Sequence, residues 1–438
     1  MSSPSVHAPT AAPLARAART FRSHPTAWAA AATLIVFALV YCASPNFRPD
    51  FDPSLGPYGG DFLQEWIGGY LVRTGQAGRL YDEPFVRRLQ HDPGLIGFDW
   101  NQDRHLPMVY PPFYYAAVSP LSLLPMPAAA LVWAAIMLLF LIATQVLLAR
   151  TLAAPAGRTA WLWPCAVLFA PLLENLTSNQ KATVLLLLFA ATYVLLRRGR
   201  SFAAGAVFGL LAFKPQLAIL IGVVMLWKRQ WRFVAGAAMT VLALFLTSLA
   251  LGTDVCRDYL AFSTGTPDYL LTAGYDLAKA HCWYGFFHLA LAGASDAAIR
   301  WASLIAIAAT IGVVGRLMSG PLQIKSARFV AQYSGLVIAS LLVSPHLLTY
   351  DLTVLLLPAL LLGLELNGVW RSQQGEAPAG PAARHCVAAA IALLVVCNVS
   401  TPLARILRTQ LSVLAMSAVL VGLAAWRQLV QRVGYTGA

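Results

Sequence analysis

The chain has 438 residues, of which 58% are hydrophobic and only 11% charged, with a mean hydropathy of +0.65. A soluble domain of this composition could not cover itself with polar surface, so the sequence predicts an all-α polytopic membrane protein. The net charge of +13 would suggest a nucleic-acid partner in a soluble protein. In a membrane protein, basic cytoplasmic loops explain most of this charge, and we expect no nucleic-acid partner.

Apolar segments recur along the whole chain. A helix that crosses the hydrocarbon core needs about 20 apolar residues, and about twelve candidate segments can be read from the sequence. Two of them, on either side of Lys214-Pro215, are about 13 residues long, which predicts a broken or re-entrant pair whose lysine needs an anionic partner. In chain order the segments are roughly 27–44, 127–149, 159–175, 181–196, 201–213, 215–227, 233–252, 297–317, 327–345, 351–367, 385–402 and 409–426.

Basic residues are concentrated on one side of these segments. About 18 of the 31 Lys and Arg residues fall on the side that holds both termini, together with only Glu365 and Glu376 among the acids. The positive-inside rule makes that side cytoplasmic in a plasma (inner) membrane. We predict a disordered cytoplasmic tail over 1–24, one transmembrane domain over 25–430 and a second cytoplasmic tail over 431–438.

Residues 45–126 form the longest predicted outside loop. Within it, Phe62, Trp66 and Tyr70 recur four residues apart, which predicts an amphipathic interfacial helix with Asp61 at its N-terminus. A carboxylate at that position is commonly a helix cap, stabilised by free backbone N–H groups. Such capping would also lower the basicity of the carboxylate.

Polar side chains interrupt the ends of apolar segments on the same side as Asp61. Gln180, Lys214 and His346 all fall there, and their convergence favours a functional site over a simple cap. A carboxylate that removes a proton from a hydroxyl, and two potential cations that stabilise a departing phosphate, suit sugar transfer from a polyprenyl phosphate. The polar stretch 91–109 matches no metal-ligand template, so we expect neither a metal nor a cofactor.

The six cysteines are scattered and form no CxxC pair, so no zinc or redox motif is indicated. Cys256 and Cys282 lie in one outside loop, where an oxidising compartment would allow a disulfide. The sequence leaves this pairing open.

The order of several short motifs resembles glycosyltransferase family 87 of the GT-C superfamily. The resemblance covers residues 55–366 and implies a GT-C fold in the membrane. It also implies transfer of a hexose, with mannose favoured, or of a pentose from a polyprenyl-phosphate sugar to a glycolipid or glycan acceptor on the extracytoplasmic side. The motifs are Gly60-Asp61-Phe62, Leu80-Tyr81-Asp82, Tyr110-Pro111-Pro112, Asn179-Gln180, Lys214-Pro215 and Ser344-Pro345-His346.

Residue roles follow from the same resemblance. Asp61 would act as the general base, and Lys214 and His346 would contact the donor phosphate. The chain departs from the family pattern before Gln180, where glycine is usual and this chain has Ser178-Asn179, and after His346, where tryptophan or a second histidine is common. Further substrate contacts are expected from Tyr110, Asn179, Gln180, Gln216 and Glu65.

Two other functions fit parts of the pattern. A transporter or lipid-linked sugar flippase would suit the many spans and the broken helix, but its ionisable residues should lie near the membrane midplane in paired repeats. Here they gather at one interface, and no repeat between the two halves is visible. A GT-C polymerase or ligase of cell-surface glycans would keep the same fold and act on a different acceptor.

Overall fold

The computed structural model describes residues 24–432, except Pro49, Leu55 and the segments 153–155, 273–275 and 367–380. Almost all residues of the predicted tails, 1–24 and 431–438, lie outside the described part of the chain. The two tails, including the disorder of 1–24, therefore stay predictions. The remaining chain is continuous enough to follow every predicted apolar segment.

The described residues are almost entirely helical. Helices make up 77% of the structure and no strand occurs in the described part, which confirms the all-α class. In chain order the α-helices are α1 Pro25–Ala43, α2 Phe62–Arg73, α3 Glu83–Gln90, α4 Pro93–Ile96, α5 Pro112–Val118, α6 Met126–Ala149, α7 Ala156–Cys165, α8 Ala170–Thr177, α9 Ala182–Arg197, α10 Ser201–Gly209, α11 Pro215–Trp227, α12 Trp231–Ala250, α13 Thr253–Thr272, α14 Trp283–Ala290, α15 Asp296–Leu317, α16 Ala327–Leu342, α17 Leu356–Leu360, α18 Pro381–Leu407 and α19 Leu411–Arg432.

Five described helices are long and apolar enough to cross a membrane. These are α1, α6, α12, α15 and residues His385–Leu407 of α18, and they fit a multi-pass membrane protein. Four further apolar helices, and the stretch Leu411–Ala425 of α19, contain only 10–17 residues, so an isolated segment of that length would span less than the roughly 30 Å of a bilayer core. The predicted count of about twelve spans is therefore not reached by length and hydropathy alone.

The long helices present apolar side chains outward. Along α12, Trp231, Met239, Phe245 and Leu246 each expose more than half of their surface. Contiguous apolar surface of this extent is unstable in water and is normal against lipid. The exposed faces of the long helices thus support membrane embedding independently of their hydropathy.

Three predicted spans are not single α-helices, and one of them, 201–213, is α10 followed by a 3₁₀ turn at Leu210–Phe213. The segment 159–175 is divided between α7 and α8 by a 3₁₀ turn at Ala166–Leu168. Pro164 and Pro171 flank that turn, and proline lacks the amide hydrogen that a continuous helix needs. The segment 351–367 runs as a 3₁₀ helix, then α17, then a π-helix at Leu361–Glu365.

The two ends of the helix bundle differ in chemistry. Helix α9 begins next to Lys181 and ends at Arg197, which places these cations about 24 Å apart along its axis. At the Arg197 end, Arg197 donates to the carbonyl of Ile324 at 2.9 Å and Lys228 donates to that of Gly320, also at 2.9 Å. The predicted site residues lie at the Lys181 end, which we call the site end, and the other is the basic end.

The loop 45–126 folds against the site end. Helix α2 confirms the helix predicted over 61–73, but its residues are buried on nearly every face, including Glu65 and Gln64. An amphipathic helix resting on a surface would expose one face, so the predicted interfacial position is not reproduced. The indole of Trp66 donates to the carbonyl of Leu124 at 3.1 Å and fastens α2 to the rest of the loop.

All six cysteines are free thiols. Cys256 and Cys282 are both among these free thiols, so the structure does not contain the disulfide that the sequence left open.

Candidate active site

Asp61 is held by a tight backbone contact between two loops. Gly60 adopts a left-handed φ of +65°, and a Cβ added there would lie 2.7 Å from the carbonyl oxygen of Ser178. Only glycine allows both the conformation and the close approach. The next amide, that of Asp61, donates to the same Ser178 oxygen at 3.1 Å. The Gly-Asp sequence therefore docks Asp61 against the end of α8.

The Asp61 carboxylate does not cap α2. Asp61 occupies the N-cap position but makes no side-chain capping bond, whereas Asp82 and Asp92 in the same loop do cap their helices. Instead, the Gln180 side-chain amide donates to Asp61 Oδ2 at 2.5 Å. The helix-cap interpretation is wrong for Asp61, and its carboxylate is oriented by a residue 119 positions away.

The environment of Asp61 alters its proton affinity. Burial raises the pKa of Asp61 above that of an ordinary aspartate, although the Gln180 hydrogen bond and the nearby charges of Lys181, Lys279 and Arg104 act in the opposite direction. The expectation of a weakened base is therefore wrong, because the backbone N–H groups of α2 do not bind the carboxylate. A raised pKa makes Asp61 a better proton acceptor.

Glu65 and Lys181 form a buried ion pair beside Asp61. Both side chains are almost completely enclosed, and the lysine ammonium donates to Glu65 Oε1. The ammonium also lies 4.2 Å from the centre of the Tyr110 ring, within the range of a cation–π contact. Glu65 and Tyr110 therefore both contact Lys181, a residue to which the sequence alone assigns no role. A lysine at the start of an apolar helix signals such a partner.

Lys214 and Asp351 form a second buried pair. Lys214 Nζ donates to Asp351 Oδ1 at 2.5 Å, and both side chains are less than 10% exposed. Lys214 stands between a 3₁₀ turn ending at Phe213 and the start of α11, so the predicted break at Lys214-Pro215 is confirmed. The anionic partner that this lysine requires is Asp351, another residue not assigned from the sequence. Gln216 lies in the first turn of α11 and is partly exposed.

His346 lies in the loop between α16 and the 3₁₀ helix that contains Asp351. Its carbonyl accepts a 2.6 Å hydrogen bond from Ser344 Oγ, which fixes the loop. Burial and the positive charge of Lys214 lower the pKa of His346 to about 4. With this pKa the ring is neutral at neutral pH in the free protein, which does not provide the second cation expected from the sequence.

Asn179 shapes the loop that delivers Gln180. It adopts a left-handed backbone with φ of 56°, its buried side chain donates to the carbonyl of Ala130 at 3.1 Å and its own carbonyl accepts from Trp133 at 3.0 Å. These contacts anchor the 178–181 loop to α6. This anchoring leaves Oδ1 of Asn179 buried and without a hydrogen-bond partner, so the predicted substrate contact would fall to that oxygen.

The two buried pairs are neighbours. Lys181 and Lys214 lie close enough to repel each other, and Tyr110 lies within electrostatic reach of Asp61, Glu65 and Asp351. Tyr110 therefore lies near both lysine–carboxylate pairs and near Asp61. Such an arrangement can accept a proton at one point and hold an anion nearby.

The family model for glycosyltransferase family 87 matches residues 108–345, more than half of the 438-residue chain. The chain belongs to glycosyltransferase family 87. No curated protein and no solved structure matches it. The match includes Tyr110, Gln180 and Lys214, whereas Asp61 precedes it and His346 follows directly after it. Membership makes the protein a membrane glycosyltransferase of a family consistent with the GT-C superfamily.

Proposed function

We propose that this glycosyltransferase moves a hexose, with mannose favoured, or a pentose from a polyprenyl-phosphate sugar to a glycolipid or glycan acceptor. The observation that supports this most strongly is the Asp61 carboxylate, which caps no helix and is aimed by Gln180 beside two lysine–carboxylate pairs. A base next to compensated cations suits a reaction in which a hydroxyl loses a proton and a phosphate departs.

The proposed reaction balances without a further acid. As the acceptor oxygen attacks the anomeric carbon, Asp61 takes the hydroxyl proton. The bond between that carbon and the phosphate oxygen breaks, and the electron pair leaves with the polyprenyl phosphate. A phosphate monoester is stable as an anion, so the leaving oxygen needs charge stabilisation rather than a proton.

Buried acceptor atoms beside Asp61 support a hydroxylated substrate. Among the described residues, Glu65 Oε2 and Gln180 Oε1 are buried and have no hydrogen-bond partner. Buried oxygens of this kind are costly unless a donor reaches them. Sugar and acceptor hydroxyls are suitable donors, which supports the substrate roles of Glu65 and Gln180.

Lys214 and His346 are proposed to contact the donor phosphate. Lys214 would provide fixed positive charge while it stays paired with Asp351, and His346 would donate a hydrogen bond from a neutral ring. Tyr110 would position Lys181, and Gln216 would face the donor from the first turn of α11. These roles rest on location at the site end and on the family resemblance.

The donor class can be tested directly. Purified protein in nanodiscs is supplied with a membrane glycolipid extract and, separately, with polyprenyl-phosphate mannose, polyprenyl-phosphate arabinose and GDP-mannose, each carrying a labelled sugar. We expect a new labelled glycolipid from a lipid-linked donor only. Transfer from the nucleotide sugar would contradict the proposed donor. Movement of labelled lipid across a liposome bilayer without transfer would favour the flippase alternative.

The extracytoplasmic location of the site is also a proposal. Both termini and the basic end would face the cytoplasm of the plasma (inner) membrane, as the positive-inside rule indicates. A cysteine introduced at the exposed position Gln102, in a background without the native cysteines, should react with an impermeant reagent added outside intact cells. Labelling from the cytoplasmic side alone would reverse the orientation.

A further inference from the structure

A strap formed by residues 276–282 crosses the site end. Its amide at His281 donates to the carbonyl of Leu347 at 2.9 Å, and Ala280 forms a bridge with Leu348. The carbonyl of Leu277 accepts from Gln410 at 2.8 Å. The strap is therefore fixed to the loop that carries His346 and to the start of α19.

Lys279 joins this strap to the loop that holds Asp61. Its ammonium lies 2.9 Å from Glu174 Oε1. Glu174 belongs to the last turn of α8, and its carbonyl accepts the amide of Ser178, whose own carbonyl binds the Asp61 amide. Lys279 thus lies between the C-terminal end of α8, against which Asp61 is docked, and the loop that carries His346. It is close enough to Asp61 for their charges to interact.

The pair Lys279–Glu174 differs from the two buried pairs in its exposure. The Lys279 side chain is 40% exposed and that of Glu174 25%, against 7% or less in the pairs of Lys181 and Lys214. Opening a buried pair leaves a carboxylate unpaired in a dry environment, which is strongly unfavourable. An exposed pair contributes little, and water can solvate the released carboxylate. Only the Lys279 pair of these three is suited to exchange its anion for a ligand.

We propose that Lys279 is an additional contact for the donor phosphate, and that Glu174 holds the lysine until the phosphate replaces the carboxylate. This inference rests on the proposed polyprenyl-phosphate donor. Lys279 would meet the phosphate at the accessible side of the site, while Lys214 supplies fixed charge from within. The same contact would stabilise the phosphate as it leaves.

The test measures binding of polyprenyl phosphate to the detergent-purified full-length protein. Neutral polyprenol controls for the lipid tail, and inorganic phosphate controls for the free anion. Lys279→Gln should weaken polyprenyl phosphate binding about tenfold, because one charge-assisted contact is lost. Glu174→Gln should strengthen it about threefold, because the competing carboxylate is removed. The affinity for polyprenol should not change in either variant.

The strap offers a matched control. Arg405 bonds to Asp276 at 2.7 Å, and this pair is at least as exposed as that of Lys279. Arg405→Gln breaks an ion pair on the same strap without removing Lys279, so it should leave polyprenyl phosphate binding unchanged. In transfer assays, Lys279→Gln should raise the donor KM, and Lys279→Arg should restore much of the loss.

The signs of the two effects decide the outcome. A purely structural ion pair predicts that Lys279→Gln and Glu174→Gln change affinity in the same direction, and that result would overturn the assignment. Unchanged binding by Lys279→Gln would also overturn it. If the wild-type protein bound polyprenol, or inorganic phosphate, as tightly as polyprenyl phosphate, the proposed lipid donor itself would fail.

Discussion

The two ends of the helix bundle use their cations differently. At the site end, Lys181, Lys214 and Lys279 each contact a carboxylate. At the basic end, Arg197 and Lys228 donate to backbone carbonyls, and Arg197 also forms an ion pair with Glu365 at 3.4 Å. Carbonyl partners fix helix ends and cannot change protonation state. Carboxylate partners can be protonated or displaced, so the site end is where charge can be redistributed during a reaction.

The largest effect on stability is expected from breaking the most deeply buried pair. Lys181→Met leaves Glu65 enclosed without its cation and should lower the free energy of unfolding by about 3–5 kcal/mol. Denaturant titration in detergent measures this change. The double variant Glu65→Gln/Lys181→Met removes both charges and should recover most of the loss. A single variant as stable as wild type would show that the pair is not isolated from solvent.

At Lys214 we expect an effect on donor binding in addition to the loss of stability that comes from leaving the buried Asp351 without its cation. Lys214→Gln should raise the donor KM about tenfold and leave the acceptor KM unchanged, because a charged contact to the phosphate is lost. Lys228→Gln at the basic end is the control for removal of a lysine from the bundle. If Lys214→Gln and Lys228→Gln raised the donor KM equally, the claim that only the site end contacts the donor phosphate would be contradicted.

The pH dependence of transfer should report the burial of Asp61. A base works only when deprotonated, so kcat/KM should fall as the pH decreases through the pKa of Asp61. Because burial raises that pKa, the acid limb should lie above the ordinary aspartate value of about 3.9. Gln180→Leu removes a hydrogen bond to the carboxylate and should move the limb to still higher pH. Burial lowers the pKa of His346 to about 4, close to this range, so His346→Gln is the control and should leave the position of the limb unchanged.

The smallest effect is expected at the basic end. Lys228→Gln should reduce the free energy of unfolding by about 1 kcal/mol or less and leave both KM values unchanged, because its carbonyl contact is near the surface. Thermal unfolding in detergent, together with the transfer assay, checks this. A large loss of transfer would mean that the basic end takes part in the reaction.

Local sequence patterns are sufficient to predict where several helices begin and break, but not which charged residues pair with each other. The break at Lys214-Pro215 follows from a proline and two short apolar segments, and the helix after Asp61 follows from aromatic spacing. Both depend on residues within a few turns. The positions of Asp61, Gln180 and Lys214 at the ends of apolar segments also predict that they lie at the same end of the helix bundle.

The partners of the charged residues depend on contacts made across the fold. Glu65 and Lys181 are 116 positions apart, and Lys214 and Asp351 are 137 apart. Periodicity can indicate that a buried lysine needs an anion, but it does not select among the available carboxylates. For the same reason, the sequence favours a functional role for Asp61 over a helix cap but does not show that Gln180 orients its carboxylate.

The role of Asp61 as the base is tested most directly by the rate of the chemical step. Single-turnover transfer from a polyprenyl-phosphate sugar is measured for Asp61→Asn and for Asp92→Asn, a capping aspartate of the same loop. Asp61→Asn should slow the step by about 10²–10⁴-fold, and Asp92→Asn should leave it within about twofold of wild type. A rate for Asp61→Asn equal to that of Asp92→Asn would contradict the proposed mechanism.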